Sequence, residues 1–116
     1  MFINQSVNYI DPLSELFGAL ADPTRRSILE RLSLGDHSVN ELAIEYDMSL
    51  PAVSKHLKVL EKVGLISKYK NAQRRECHLE AARLKEATEW LAEYRQFWER
   101  NFDNLETYLD EVQRNK

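Results

Sequence analysis

Positive charge is concentrated in one short part of this chain, between residues 55 and 76. The chain as a whole carries a formal net charge of −3, and the segments on both sides of residues 55–76 are acidic. A polyanion responds to the local field rather than to the total charge, so this segment is suited to bind nucleic acid. Composition alone leaves a solvated charged surface as the alternative. The basic residues are Lys55, Lys58, Lys62, Lys68, Lys70, Arg74 and Arg75.

The stretch that follows Ser49 predicts a helix with one face suited to DNA. Ser49 is placed to cap this helix and Gly64 to end it. Apolar residues recur at spacings of three and four and predict an inward stripe of Leu50, Val53, Leu57 and Leu60. Small and polar side chains on the opposite face can approach the major groove and bond to base edges or phosphates. That face is predicted to hold Ser49, Pro51, Ala52, Ser54, Lys55, His56 and Lys58.

The elements around this helix predict a winged helix-turn-helix. A capping box at Ser38–Glu41 begins a short helix, and a turn of about three residues separates it from Ser49. After Gly64 the period changes to that of two strands, residues 65–70 and 74–79, joined by a turn in which Asn71 can adopt a positive φ. The hairpin forms a basic wing suited to phosphates. Its cations are Lys68, Lys70, Arg74 and Arg75.

Helices are predicted on both sides of this core. Asp11-Pro12 and Asp22-Pro23 each pair an N-cap carboxylate with a proline in the first helical turn. From Glu80 to about Val112 the chain has helical period without Gly or Pro, about 48 Å of helix. Its wide apolar stripe predicts a twofold partner, the alternatives being an effector pocket or a docking face for another protein. The predicted dimer contacts are Leu84, Leu91, Tyr94, Trp98, Phe102, Leu105 and Leu109.

Two segments resemble the arsenic-repressor (ArsR/SmtB) family: residues 20–29, LADPTRRSIL, and residues 51–61, PAVSKHLKVLE. The resemblance covers about residues 13–80 and implies a homodimeric winged-helix repressor with helices of both chain ends in the dimer interface. It also implies that Ser49, Ser54, Lys55 and His56 enter the major groove. Leu50 departs from the polar residue common in the family before the proline, which removes one base contact. The aromatic tail resembles a subset of the family without metal ligands.

The residues for metal binding, redox chemistry or catalysis are sparse. Ala43 and Glu45 stand where the resemblance implies the cysteine pair of metal-sensing members, and the last helix contains no histidine. The pair Asp36-His37 is interpreted as a solvated connector rather than a loop metal site. Cys77 is interpreted as a buried, inert thiol, with an intersubunit redox switch as the alternative. The three histidines lie far apart with no nucleophile to serve. We therefore predict no metal, no cofactor and no catalytic residue.

Together these patterns predict a mainly α (α+β) fold: a winged helix-turn-helix with a two-stranded β wing and a long C-terminal dimerisation helix. Residues 1–116 form one domain, with residues 12–80 as the DNA-binding core and 81–112 as the dimerisation helix. The predicted function is a cytoplasmic, non-enzymatic, homodimeric repressor of double-stranded operator DNA, without a signal peptide or membrane span. The alternative is a winged-helix adaptor whose last helix binds a partner protein. The operator, the regulated genes and any small-molecule or protein effector stay open.

Overall fold

The computed structural model describes residues 11–115. The prediction that Met1–Gln5 is not a signal peptide lies outside the described residues. Helix α1 spans Pro12–Leu20 and helix α2 spans Pro23–Ser33. Asp11 and Asp22 cap them, since the two carboxylates accept from Ser14 N at 2.7 Å and Arg25 N at 2.9 Å. Both proline-associated helix starts are therefore confirmed.

Helices α3, Val39–Glu45, and α4, Leu50–Lys62, form the helix-turn-helix. The capping box at the start of α3 is complete, because Ser38 and Glu41 each accept the other's backbone N–H. Asp47, at φ 51°, provides the left-handed residue of the connecting turn. Ser49 caps α4, and Gly64, at φ 80°, ends it as predicted.

Three strands form one antiparallel sheet in the order β1-β3-β2. Strand β1 is His37–Ser38, β2 is Ile66–Asn71 and β3 is Arg74–Leu79. The wing is confirmed, but the sheet has three strands rather than two because His37 pairs with Cys77. The interpretation of Asp36-His37 as a connector is therefore wrong for His37.

The wing turn is shorter than predicted. Asn71 pairs with Arg74 across the hairpin, which leaves Ala72 and Gln73 as the only turn residues. Ala72 takes the positive φ, at 57°. The assignment of that conformation to Asn71 is wrong, because Asn71 is held in the last pair of the strand register.

The C-terminal region forms two helices rather than the single helix predicted for residues 81–112. Helix α5 spans Ala82–Ala92 and helix α6 spans Arg95–Arg114. Between them Glu93 N and Tyr94 N bond to carbonyls three residues earlier, at 3.3 and 3.0 Å. These tighter bonds interrupt the α-helical ladder. No helix among residues 11–115 is long and apolar enough to cross a membrane.

The core lies between the helices and the inner face of the sheet. Fully buried side chains from α1 to α4, the following turn and β3 meet there: Leu16, Ile28, Leu42, Val53, Leu57, Leu60, Leu65 and Cys77. Leu50 is 48% exposed, so its predicted place in the inward stripe of α4 is wrong. It lies in the first turn of α4, beyond the end of the core that covers the later residues of the stripe.

Candidate DNA-binding surface

The outward face of helix α4 carries most of the residues predicted to contact DNA. Ser49, Pro51, Lys55 and Lys58 are exposed, and Ala52 and Ser54 are partly exposed. Ser49 also caps the helix, because its hydroxyl accepts from Ala52 N at 3.2 Å. The helix N-terminus and its small side chains are thus accessible at one end of this face.

His56 lies on the flank of α4 that faces α2. Its Nδ1 is 3.7 Å from the Asp22 carboxylate, and its side chain is 22% exposed. Asp22 in turn caps α2 through Arg25 N, which is the leading cause of the lowered pKa of Asp22. His56 therefore connects two helices, whereas Ser54 and Lys55 have no such partner among the described residues.

The four predicted wing cations fall into two pairs. Lys68 is 3.7 Å from Glu61 with a side chain only 16% exposed, and Arg74 pairs with Glu41 and with the buried Glu76. Their charges are already compensated within the chain. Across residues 11–115, no ion pair involves Lys70 or Arg75, which lie opposite each other next to the wing turn and are exposed.

Helix α4 and the wing share one surface. Lys58 and Glu61 of α4 line a depression together with Lys68, Lys70 and Arg75 of the wing. A second depression joins Ser54 of α4 to Gln73 and Arg74 near the wing turn, and Leu50 lines it as well. The recognition face and the wing cations are therefore continuous.

A hydrogen-bonded cluster at the base of the wing was not predicted from the sequence. Asp36 accepts from Tyr69 Oη at 2.6 Å and lies 2.8 Å from His78 Nδ1. The hydrogen bond to Asp36 raises the pKa of His78 above its ordinary value and, with burial, raises the pKa of Tyr69 to about 12. Both hydrogen bonds lower the pKa of Asp36. Asp36 thus ties β2 and β3 to the loop before β1.

Two arginines of the LADPTRR segment bind backbone carbonyls of the preceding helix. Arg25 donates to Ala19 O at 2.7 Å and Arg26 donates to Leu20 O at 2.6 Å. These carbonyls lie at the C-terminal end of α1, where cations are favourable. The sequence signal for these contacts is the presence of two basic residues shortly after the end of a predicted helix.

Cys77 is fully buried on β3, and His78 points to the exposed face. Burial raises the pKa of the Cys77 thiol to about 11. The prediction of a buried thiol is confirmed, and at neutral pH it is protonated and weakly nucleophilic.

The C-terminal helices present a continuous apolar face. Helix α6 has no buried residue, and Trp98, Phe102, Leu105 and Leu109 are each at least half exposed. Trp90 of α5 packs edge-on against Phe17 of α1, with ring centroids 5.6 Å apart. Of the predicted dimer contacts, Leu84 differs because it packs partly buried against the core of its own chain.

Comparison with known proteins decides the family. Residues 22–68 match the family described as bacterial regulatory protein, arsR family. The transcriptional repressor SdpR of Bacillus subtilis (strain 168) is 30% identical over 82 residues, which are 71% of this chain and 91% of SdpR. The chain belongs to the ArsR family. It is accordingly a DNA-binding transcriptional regulator and not an enzyme.

Solved structures of ArsR-family regulators share this fold. A crystal structure of an ArsR family transcriptional regulator is 43% identical, with a TM-score of 0.70 over 79% of this chain and 95% of that one. A homodimeric winged helix-turn-helix DNA-binding domain from Mycobacterium bovis, solved by NMR, is 26% identical. Its TM-score is 0.61 over 72% of this chain and 81% of that chain. The winged-helix fold predicted from the sequence is therefore confirmed.

The resemblance to the ArsR family implies a cysteine pair at positions 43 and 45, where this chain has Ala43 and Glu45. Ala43 is buried, and Glu45 lies 3.1 Å from Arg31 Nη1 and 3.9 Å from His37 Nε2. Residues 11–115 contain no group of three or more His, Cys, Asp or Glu side chains arranged to hold a metal ion.

Proposed function

We propose that this ArsR-family protein is a homodimeric repressor that binds double-stranded operator DNA in a sequence-specific manner. The outward face of α4 enters the major groove through Ser54 and Lys55, and the wing places Lys70 and Arg75 on phosphates. One observation carries the proposal: a single depression joins Lys58 of the recognition helix to those two wing cations. Phosphate contacts of this kind position a protein, and base contacts provide specificity.

The apolar face of α6 supports the dimer. A face that leaves Trp98, Phe102 and Leu109 half exposed or more is unusually large for a soluble monomer. A second copy covers it most simply, because twofold symmetry brings the same face from both chains together. In such a dimer we expect the two recognition helices to lie about 34 Å apart, because dimeric helix-turn-helix proteins bind half-sites one turn of DNA apart. In this assignment residues 12–80 bind DNA and residues 81–112 dimerise.

The proposed repressor does not sense divalent metals through the positions of the family's cysteine pair, Ala43 and Glu45, or through its last helix, which contains no histidine. Metal sites of this kind need thiolate or imidazole ligands. Instead Ala43 is buried, and the Glu45 carboxylate is paired with Arg31. Zinc, cadmium or nickel at micromolar concentration should therefore leave DNA affinity unchanged.

The repressor role is tested by transcription in vitro. A duplex is first selected by the protein from a random-sequence pool, and this selected duplex is then placed across a promoter. We expect transcript yield to fall as protein is added, and to stay low when zinc is added. Increased transcription would overturn the repressor role, and recovery on adding zinc would overturn metal independence.

A further inference from the structure

Leu50 is an exposed apolar residue in a part of the candidate DNA-binding surface where most neighbouring side chains are polar. It is the first residue of α4 and is 48% exposed, whereas Val53, Leu57 and Leu60 of the same stripe are 0% exposed. It does not belong to the hydrophobic core or to the side chains packed against it. Its side chain therefore contributes little to the stability of this chain.

The surroundings of Leu50 are those of a DNA contact. The depression that it lines also contains Ser54 of α4, Val39 and Asn40 of α3, Gln73 of the wing turn and Arg75 of β3. Ser54 lies one turn after Leu50 on the same helix, and side chains four residues apart are neighbours. In helix-turn-helix proteins the N-terminal residues of the recognition helix contact base edges in the major groove. Leu50 therefore lies beside the Ser54 hydroxyl and shares a depression with the exposed cation Arg75, at the N-terminal end of α4.

The major groove offers one apolar group to such a side chain. The other groups by which the base edges are distinguished there are hydrogen-bond donors and acceptors, whereas thymine presents its 5-methyl group. We propose that Leu50 determines specificity by packing against the 5-methyl group of a thymine in each half-site. The inference rests on the proposed function, because it assigns one base contact of the same surface.

Deoxyuridine, which lacks only the methyl group, provides the test. Each thymine of the selected duplex is replaced in turn by deoxyuridine, in both half-sites together, and the affinities of wild type and Leu50→Ala are measured. For wild type we expect the replacement at one thymine position to weaken binding about fourfold per half-site, because removing one buried methyl group has an effect of that size. In Leu50→Ala the same replacement should have no effect, because the contact is already lost.

Val59→Ala is the matched control. Val59 is 37% exposed on the same helix but lines a depression with α1. This variant should keep the thymine dependence of wild type, and circular dichroism should show that both variants fold. Binding without a sensitive thymine, or a sensitivity that persists in Leu50→Ala, would overturn the role of Leu50 and leave the proposed function intact. Failure to select any duplex would overturn the proposed function together with this inference.

Discussion

At the scale of single residues, the four wing cations differ in whether they form ion pairs within the chain. Lys70 and Arg75 are exposed next to the turn, whereas Lys68 and Arg74 are held in ion pairs with carboxylates of the same chain. The two pairs of cations should therefore respond differently to alanine substitution, although all four have the same charge.

Lys70→Ala combined with Arg75→Ala should weaken binding to all DNA sequences alike. The slope of log K against log salt should flatten by about one unit for each lost phosphate contact. Thermal unfolding should be unchanged, because no described ion pair is lost. Arg74→Ala is the matched control: it leaves Glu76 buried without its cation, so its unfolding midpoint should fall. A salt slope equal to that of wild type in the double variant would show that these cations face solvent.

The cluster around Asp36 should make stability depend on pH near neutrality. The hydrogen bond to Asp36 raises the pKa of His78 above 6.5 in the folded protein. A raised pKa stabilises the fold below the unfolded value of about 6.5, and this contribution is lost as pH rises through the folded value. The thermal unfolding midpoint of wild type should therefore decline as pH rises from about 6.5 through the folded pKa of His78. The midpoint of Asp36→Asn should decline less over the same pH range. NMR titration checks the cause: a His78 pKa that is the same in Asp36→Asn as in wild type would contradict it.

At the scale of elements, two glycines with different surroundings test how the helices end. Gly64 has φ 80°, and an added Cβ would lie 3.2 Å from Arg83 Cγ, whose guanidinium is bound to Val63 O at 2.7 Å. Gly64→Ala should lower the free energy of unfolding by about 1–2 kcal/mol, the cost of a left-handed conformation with a Cβ.

Gly18→Ala is the control for this change. Nothing lies within 4 Å of its added Cβ, and the residue is inside helix α1. Alanine there should raise the free energy of unfolding by about 0.5–1 kcal/mol. Denaturant titration measures both variants. A stabilising Gly64→Ala would show that the end of α4 does not require the left-handed conformation.

Local signals allowed most element boundaries to be predicted from the sequence. The caps Asp11, Asp22, Ser38 and Ser49 act within three residues, so they can be recognised in a single sequence. Strand β1 could not be recognised in this way, because its two residues are strands only through pairing with β3. The interruption at residues 93–94 contains neither Gly nor Pro and carries no local signal.

The surface of α4 shows what periodicity can predict. The apolar spacing of three and four residues correctly predicts that Val53, Leu57 and Leu60 face the core. It does not give the extent of the core beneath the helix, and so it misplaces Leu50. It also cannot show that His56 turns to Asp22, since that contact depends on the position of α2.

At the scale of the whole molecule, the exposed face of α6 couples folding to association. Trp98 is 50% exposed in the single chain and becomes buried if a second copy covers the face. Trp98→Ala should then destabilise the dimer by about 3–5 kcal/mol, the usual cost for a fully buried large side chain. The unfolding midpoint of wild type should rise with protein concentration.

Asp103→Ala is the control for Trp98→Ala. Asp103 is exposed on α6 five residues after Trp98, which places it on the other side of the helix. This substitution should leave the sedimentation behaviour of wild type unchanged. A wild-type protein that sediments as a well-folded monomer, with a midpoint independent of concentration, would contradict the dimer.

The most direct test of the central claim is the affinity of the recognition face for DNA. Fluorescence anisotropy would compare wild type with Ser54→Ala/Lys55→Ala on the selected duplex at one fixed salt concentration. Lys85→Ala, which removes a charge that is 77% exposed on α5, is the control. The double variant should fold normally and lose about 1–3 kcal/mol of binding free energy per base contact, while Lys85→Ala binds as wild type does. Equal affinity of the double variant and wild type would contradict the placement of α4 in the major groove.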